Sequence, residues 1–238
     1  MPTYLSPGIY TRETDFSFYV KQISTSSAAM VGVAEKGPIN KPVLVTSWEQ
    51  FINRYGSYIN ESYLAYAARA FFDNGGSVLY VTRIAHLTDS TDRDTLTALK
   101  SSIVLQNREA TPADALRIEA VNEGVWGDRL SVSIEDGSLD PANHFNLVVR
   151  HKGDVVEVFK DLSMDETLPN HVELAINDRS DFILVQDLAA AMGTPGDRPA
   201  LGVFTLTGGD NGLADLADAD FIGDPSQHTG LYGFDEID

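Results

Sequence analysis

Cysteine is absent from the 238 residues, which excludes disulfides, thiolate metal sites and thiol catalysis. Basic residues are scarce as well: 17 Lys and Arg stand against 35 Asp and Glu, a formal net charge of −18. Such a surface suits neither nucleic acid nor an anionic membrane, because neutralisation of phosphates by Lys and Arg supplies most non-specific binding. No run approaches the roughly 18 apolar residues of a spanning helix, and the first residues show no basic stretch leading into an apolar one. Neither direct nucleic-acid contact nor membrane insertion is expected, and the expected compartment of folding is cytoplasmic.

Patterns that carry chemistry are missing too. There is no GxSxG elbow, Walker A loop or GxGxxG, so hydrolase and nucleotide-binding readings lack their backbone requirement. His86, His144, His151, His171 and His228 form no i, i+4 pair and read as surface or turn histidines. The Asp-rich stretches at 89–94 and 215–224 lack the glycine and terminal glutamate of an EF-hand loop and read as solvated. Gly208 to Gly212 reads as a structural turn, with no lysine beside it to complete a phosphate cradle. No catalytic, cofactor-binding or metal residue is assigned, no cofactor is expected, and the chain is not expected to be an enzyme.

What is present is a composition of globular type, 43% hydrophobic and 22% charged, long enough for one large or two ordinary domains. Charge is unevenly placed. Residues 1–100 hold nine basic and nine acidic side chains, so the whole excess lies in 101–238; after Arg198 there are eight acidic residues and no Lys or Arg. A solvated acidic surface is the plain reading, and a basic protein partner is the alternative.

Residues 25–84 alternate strand and helix signals. SSAAMVGVAEKGP reads as a strand of small residues ending at Gly37-Pro38, and PVLVTS as a second, short strand. Ser47 with Gln50 fits a capping box, and Gly56 fits the helix stop. Leu64, Ala67, Ala68, Phe71 and Phe72 mark one face of the next helix, closed by Gly75-Gly76, and SVLYVTRI reads as a buried strand. The aromatics Trp48, Phe51, Tyr55, Tyr58, Tyr63, Tyr66, Phe71 and Phe72, at helical spacing, are expected to pack as core. The predicted fold class is therefore an α/β (α+β) core.

From about residue 108 the pattern turns to β. ALRIEAVN, LSVSIED, FNLVVRH, DVVEVFKDL, SDFILVQDL and GVFTLTGG read as short strands, with a hairpin turn at His151 to Asp154 and one helix from Pro169 to Asn177. An inserted all-β sandwich or barrel-like domain is the economical reading, and DRDTLTALKSSIVLQ, with Leu96, Leu99 and Ile103, reads as a helical connector into it. The expected division is an extended N-terminal arm at 1–24, the first part of the core at 25–107, the inserted β-rich domain at 108–205, and an incomplete return to the core at 206–238. Because a helix start at Leu231 to Ile237 is not continued and a three-stranded layer leaves edges unpaired, the α/β core is expected to continue beyond residue 238.

The arm carries the β-formers Tyr4, Ile9, Tyr10, Phe16, Phe18, Tyr19 and Val20, broken by Pro2, Pro7 and Gly8 and mixed with charge. Strand addition to another subunit suits such a segment: main-chain hydrogen bonds give affinity and alternating side chains give register.

One ordered series is specific enough to carry a resemblance. SPGIY (6–10) with Glu13, ISTS (23–26) leading to MVGVAEKGP (30–38), PVLVTSW (42–48), Phe51 with Tyr55-Gly56, YLAYA (63–67) and FFDNGGSVLYVTR (71–83) resemble the N-terminal region of contractile phage tail sheath proteins, a family that includes the sheaths of related contractile injection systems. GVWGDRLSVSI (124–134) resembles the opening of that family's inserted β-domain. The resemblance implies a subunit that polymerises as stacked hexameric rings around an inner tube and contracts to drive the tube through a target cell envelope. It further implies neighbouring sheath subunits, the tail tube protein, and terminator and baseplate proteins as partners, a place in the virion's contractile tail, and assembly in the bacterial host cytoplasm. An alternative from another class is a β-sandwich binding module, for carbohydrate or a virion partner, attached to a small α/β domain. Trp126, the only tryptophan of the β-rich region, would be its contact residue.

Overall fold

The computed structural model describes residues 26–87, 97–188 and 197–237. Its first part is a small α/β layer. Strands β1 (Ser27–Gly32), β2 (Val43–Val45) and β3 (Val78–Arg83) form a sheet in the order β1-β3-β2, with β3 parallel to β1 and antiparallel to β2. The near-continuous apolar run of β3 follows from its central place: Leu79 and Val81 are fully buried. Helices α1 (Trp48–Tyr55) and α2 (Leu64–Asp73) bury Phe51, Tyr55, Leu64 and Ala68 in a core shared with those two residues and Val45. The small residues of β1 admit this packing closely, since a side chain at Gly32 would come within 3.1 Å of Leu64 Cβ.

Local signals set α1. Ser47 Oγ accepts from the Gln50 amide at 3.1 Å, but the Gln50 side chain accepts from the Thr46 amide at 2.9 Å rather than from that of Ser47. The reciprocal arm of the box is thus moved one residue upstream. Ser47→Ala is expected to lower stability by about 1 kcal/mol, measurable as a fall in the urea midpoint at constant slope; an unchanged midpoint would show the cap to be idle. Burial raises the Tyr55 phenol well above its ordinary pKa, and its hydroxyl donates to Val81 O at 2.7 Å, tying α1 to the central strand.

The expected aromatic core splits. Phe51 and Tyr55 are buried, but Tyr58 and Tyr66 are about half exposed and Tyr63 is 87% exposed. Trp48 stacks on Phe51 at 5.4 Å, Tyr58 lies 5.5 Å from Trp48, and Tyr66 lies 4.5 Å from Tyr58. The rings form a ladder from core to surface, in which Tyr58, from the loop between the helices, bridges Trp48 of α1 and Tyr66 of α2.

The helical connector is not formed among the described residues. Instead β4 (Ala98–Leu99) and β5 (Ser102–Gln106) follow each other directly. Ile103 and Val104 are β-branched and Leu105 reaches the core of the β-rich part, which outweighs the three apolar positions read as helical. Then come β6 (Asp114–Ala120), a 3₁₀ turn at Val125–Arg129, β7 (Leu130–Asp136), β8 (Phe145–His151) and β9 (Asp154–Leu162). Helix α3 (Val172–Ile176), β10 (Ile183–Asp187) and β11 (Gly202–Thr205) complete this part. Lys152 and Gly153, at φ 55° and 95°, make the two-residue hairpin turn expected between β8 and β9.

Two antiparallel sheets result, β10-β6-β5 and β11-β7-β8-β9. They meet at a corner where Ser102 pairs with Thr207 and Asn107 with Pro199. Both contribute to one core around Ile118, Trp126, Val132, Leu147 and Leu162, which α3 joins through Val172 and Ile176. The fold is mixed α+β with several small sheets and few helices.

Helix α3 is shorter than the expected 169–177. His171 stays extended and pairs with Ser163, whose carbonyl accepts from the Val172 amide at 2.9 Å, so the chain turns helical only afterwards and Pro169 lies in the preceding turn. Past β11, β12 (Asp210–Asn211) pairs antiparallel with β4, so the outgoing and returning chains run side by side. Helix α4 (Asp218–Ile222) and a 3₁₀ segment at Gly230–Glu236 follow, the latter where a helix start was expected. This segment returns to the α/β layer, with the Gly230 amide donating to Asn40 Oδ1 at 3.2 Å.

Candidate functional site

The arm residues Tyr4, Ile9, Tyr10, Phe16, Phe18, Tyr19 and Val20 lie outside the described residues. What the structure does bring together is a junction between the α/β layer and the β-rich part, built from three turns and a strand end that are separate in sequence. These are the EKGP turn after β1, the end of β3, the GVWGDR turn before β7, and the glycine-rich turn leading into β12.

Arg83, the last residue of β3, is fully buried. Its Nη1 donates to Gly37 O at 2.8 Å and to Glu123 O at 2.9 Å, one acceptor from each part, while Nε and Nη2 have no protein partner. Burial pushes its guanidinium down to about 10, against the opposing pull of Glu123. Glu35 spans the same gap, accepting from Arg129 Nη1 at 2.8 Å and from the Ser57 amide at 3.1 Å. Because Arg129 is half exposed, that ion pair contributes little by itself. Lys36 extends across the junction, its Nζ 5.5 Å from the Trp126 ring centroid and 5.4 Å from that of Phe182. Burial is the main cause of its lowered pKa.

Backbone fit holds the other two turns. Gly124 has φ 127°, a conformation in which a side chain would be strained and would also meet Glu35 O at 3.0 Å. A side chain at Gly209 would come within 2.3 Å of Gly124 O. Asp128 Oδ1 gathers the Ser101 hydroxyl at 2.8 Å and the Gly209 amide at 3.0 Å, and Asn211 Oδ1 accepts from the Val125 amide at 3.0 Å. Asn122 O receives the indole N–H of Trp126 at 3.2 Å.

Trp126 is 1% exposed. It is therefore packed into the junction and offers no face to a sugar ring, which removes the residue on which the binding-module alternative stood. His171 also departs from expectation: it is buried, with Nε2 3.1 Å from Asp187 Oδ2. His86 pairs with Asp220 at 3.1 Å and ties α4 to the segment after β3. Among the described residues no group of three or more His, Cys, Asp or Glu could hold a metal ion, and no helix is long and apolar enough to cross a membrane. A cleft of about 730 Å³ runs beside the junction, between β2 and α1 on one side and Asn122 and Phe182 on the other. The geometry serves to join two parts of one chain.

In its fold the chain is similar to solved structures of sheath tail proteins. It matches a sheath tail protein from Desulfitobacterium hafniense with a TM-score of 0.53 at 13% identity, over 90% of this chain and 41% of that one. A sheath tail protein from Listeria innocua matches with a TM-score of 0.50 at 11% identity, over 77% of this chain and 34% of that one. The chain thus spans between a third and a half of the length of these solved structures. No curated protein matches the sequence. Residues 25–84, the α/β layer, match the family model of the tail sheath protein Gp18 domain III N-terminal region. The resemblance is therefore to the tail sheath family, and the matched residues form the layer that Arg83 and Glu35 fasten to the β-rich part.

Proposed function

We propose that the chain is the N-terminal portion of a contractile tail sheath subunit without enzymatic activity. Subunits polymerise as stacked hexameric rings around an inner tube, and contraction drives the tube through a target cell envelope. The observation that carries this reading is the match of residues 25–84 to a sheath domain, in a chain whose fold is that of sheath tail proteins. In this reading 108–205 is an outward-facing sandwich or barrel-like domain, and residues 206–238 begin the return to the core. Residues 1–24 are an arm whose Tyr4, Ile9, Tyr10, Phe16, Phe18, Tyr19 and Val20 add a strand to a neighbour's sheet. Neighbouring subunits, the tube, the terminator and the baseplate are the partners, and the virion tail, assembled in the host cytoplasm, is the location.

The test uses the complete subunit, expressed with its tube protein and imaged by electron microscopy. Tubular sheaths of stacked rings are expected. Deleting residues 1–22 is expected to abolish extended sheaths while leaving a folded subunit; normal extended sheaths from that deletion would refute the arm, and no polymer from the parent would refute the function.

A further inference from the structure

Two cationic or potentially cationic side chains share one aromatic pocket at the junction. Lys36, from the turn after β1, lies against Trp126 and Phe182. His151, at the end of β8, lies against the same two rings from the β-rich side, 6.3 Å from Trp126 edge-on and 6.1 Å from Phe182. Its Nε2 is buried without a hydrogen-bond partner. We propose that this pocket is an acid-sensitive latch, in which protonation of His151 sets a second positive charge beside Lys36 and loosens the α/β layer from the β-rich part.

The charges around the imidazole favour that sense. Lys152 of its own hairpin, Lys36 of the β1–β2 turn and Arg129 of the 3₁₀ turn all oppose protonation, while Glu35 favours it. Asp181, in the turn before β10, acts on Lys36 and raises its pKa, and Asp154 faces His151 across the hairpin register. Burial, then Lys152 and Lys36, hold the His151 pKa below its ordinary value. A histidine whose pKa is lower folded than unfolded supports the closed form fully above the unfolded value, and that support is lost as pH falls toward the folded one. Neutral His151 completes the pocket's apolar wall; protonated, it competes with Lys36 for the same ring faces and has no acceptor for its buried Nε2 proton. The Glu35–Arg129 pair and the two Arg83 bonds remain, so the latch loosens one side of the junction and leaves both cores intact.

Trp126 itself reports the latch once Trp48, the other tryptophan, is replaced by phenylalanine. Acrylamide quenching of Trp126 in the 238-residue chain, followed from pH 8 to pH 5 with far-UV circular dichroism as a control on folding, is expected to rise with a midpoint below the ordinary imidazole value of about 6.5. His151→Phe is expected to remove the step. Lys36→Met is expected to leave Trp126 shielded throughout the range, because the competing charge is gone. Should His151→Phe fail to fold at pH 8, His151→Gln carries the same expectation. Quenching independent of pH in the parent, a step that survives in the folded His151 variant, or a full step in Lys36→Met would overturn the proposal.

Discussion

Trp126→Ala is expected to lower the stability of the β-rich part by about 3–5 kcal/mol. Trp126 is among the largest fully buried side chains, and it serves two structures at once. Its ring packs in the core shared by β6, β7, β8 and α3, and its outer side receives Lys36 from the α/β layer. Truncation leaves a cavity that Gly127 cannot help to close, since that glycine is already pressed against Ser101 and Ala120. The loss is read as a lower urea midpoint of the transition reporting the β-rich part, with the slope unchanged. A variant as stable as the parent would mean that the indole is not packed as described.

Arg83→Ala is the second large effect, a loss of about 2–4 kcal/mol from two charge-assisted hydrogen bonds to buried carbonyls. Arg83→Met is expected to cost less. The methionine keeps most of the stem's volume and removes a charge whose burial already depresses its pKa and whose Nε and Nη2 lack protein partners. Denaturant titration of the three proteins checks the order parent, Met, Ala. Equal stability of parent and Ala would deny Arg83 its role as a clamp, and Met falling to the level of Ala would show that the charge, rather than the volume, is what the site needs.

These two residues mark where reading the sequence succeeds and where it stops. The Ser47 cap, the hairpin at Lys152-Gly153 and the apolar β3 were legible because each is decided within a few residues by capping, turn conformation or burial period. The family series was legible for the same reason, being made of such local pieces in order. Residues 98–106 were misread because Leu96, Leu99 and Ile103 fit a helical period, whereas β4 takes its partner, Asp210–Asn211, from about a hundred residues away and β5 pairs antiparallel with the nearby β6. The junction is non-local throughout: Arg129 reaches back 94 residues to Glu35, and Arg83 reaches forward 40 to Glu123. Its one visible signal was an arginine closing an otherwise apolar strand. Trp126 drew attention as the lone tryptophan of its region, but composition cannot tell a ring that faces solvent from one that fills a joint.

The pairing of β4 with β12 carries a consequence for how such a chain can change. The polypeptide leaves the α/β layer along Ala98–Leu99 and returns beside it along Asp210–Asn211, with Ser102 and Thr207 exchanging main-chain hydrogen bonds just beyond. Everything between is carried by this two-stranded stalk, whose ends are already neighbours, and by the side chains of the junction. An insertion of that kind adds little to the entropy of closing the host, because the closure is made by the stalk whatever the length beyond it. The β-rich part can accordingly be enlarged or trimmed away from the junction while the layer beneath keeps its sheet order, whereas a foreign domain grafted on the stalk would have to supply the acceptor that Arg83 takes from Glu123.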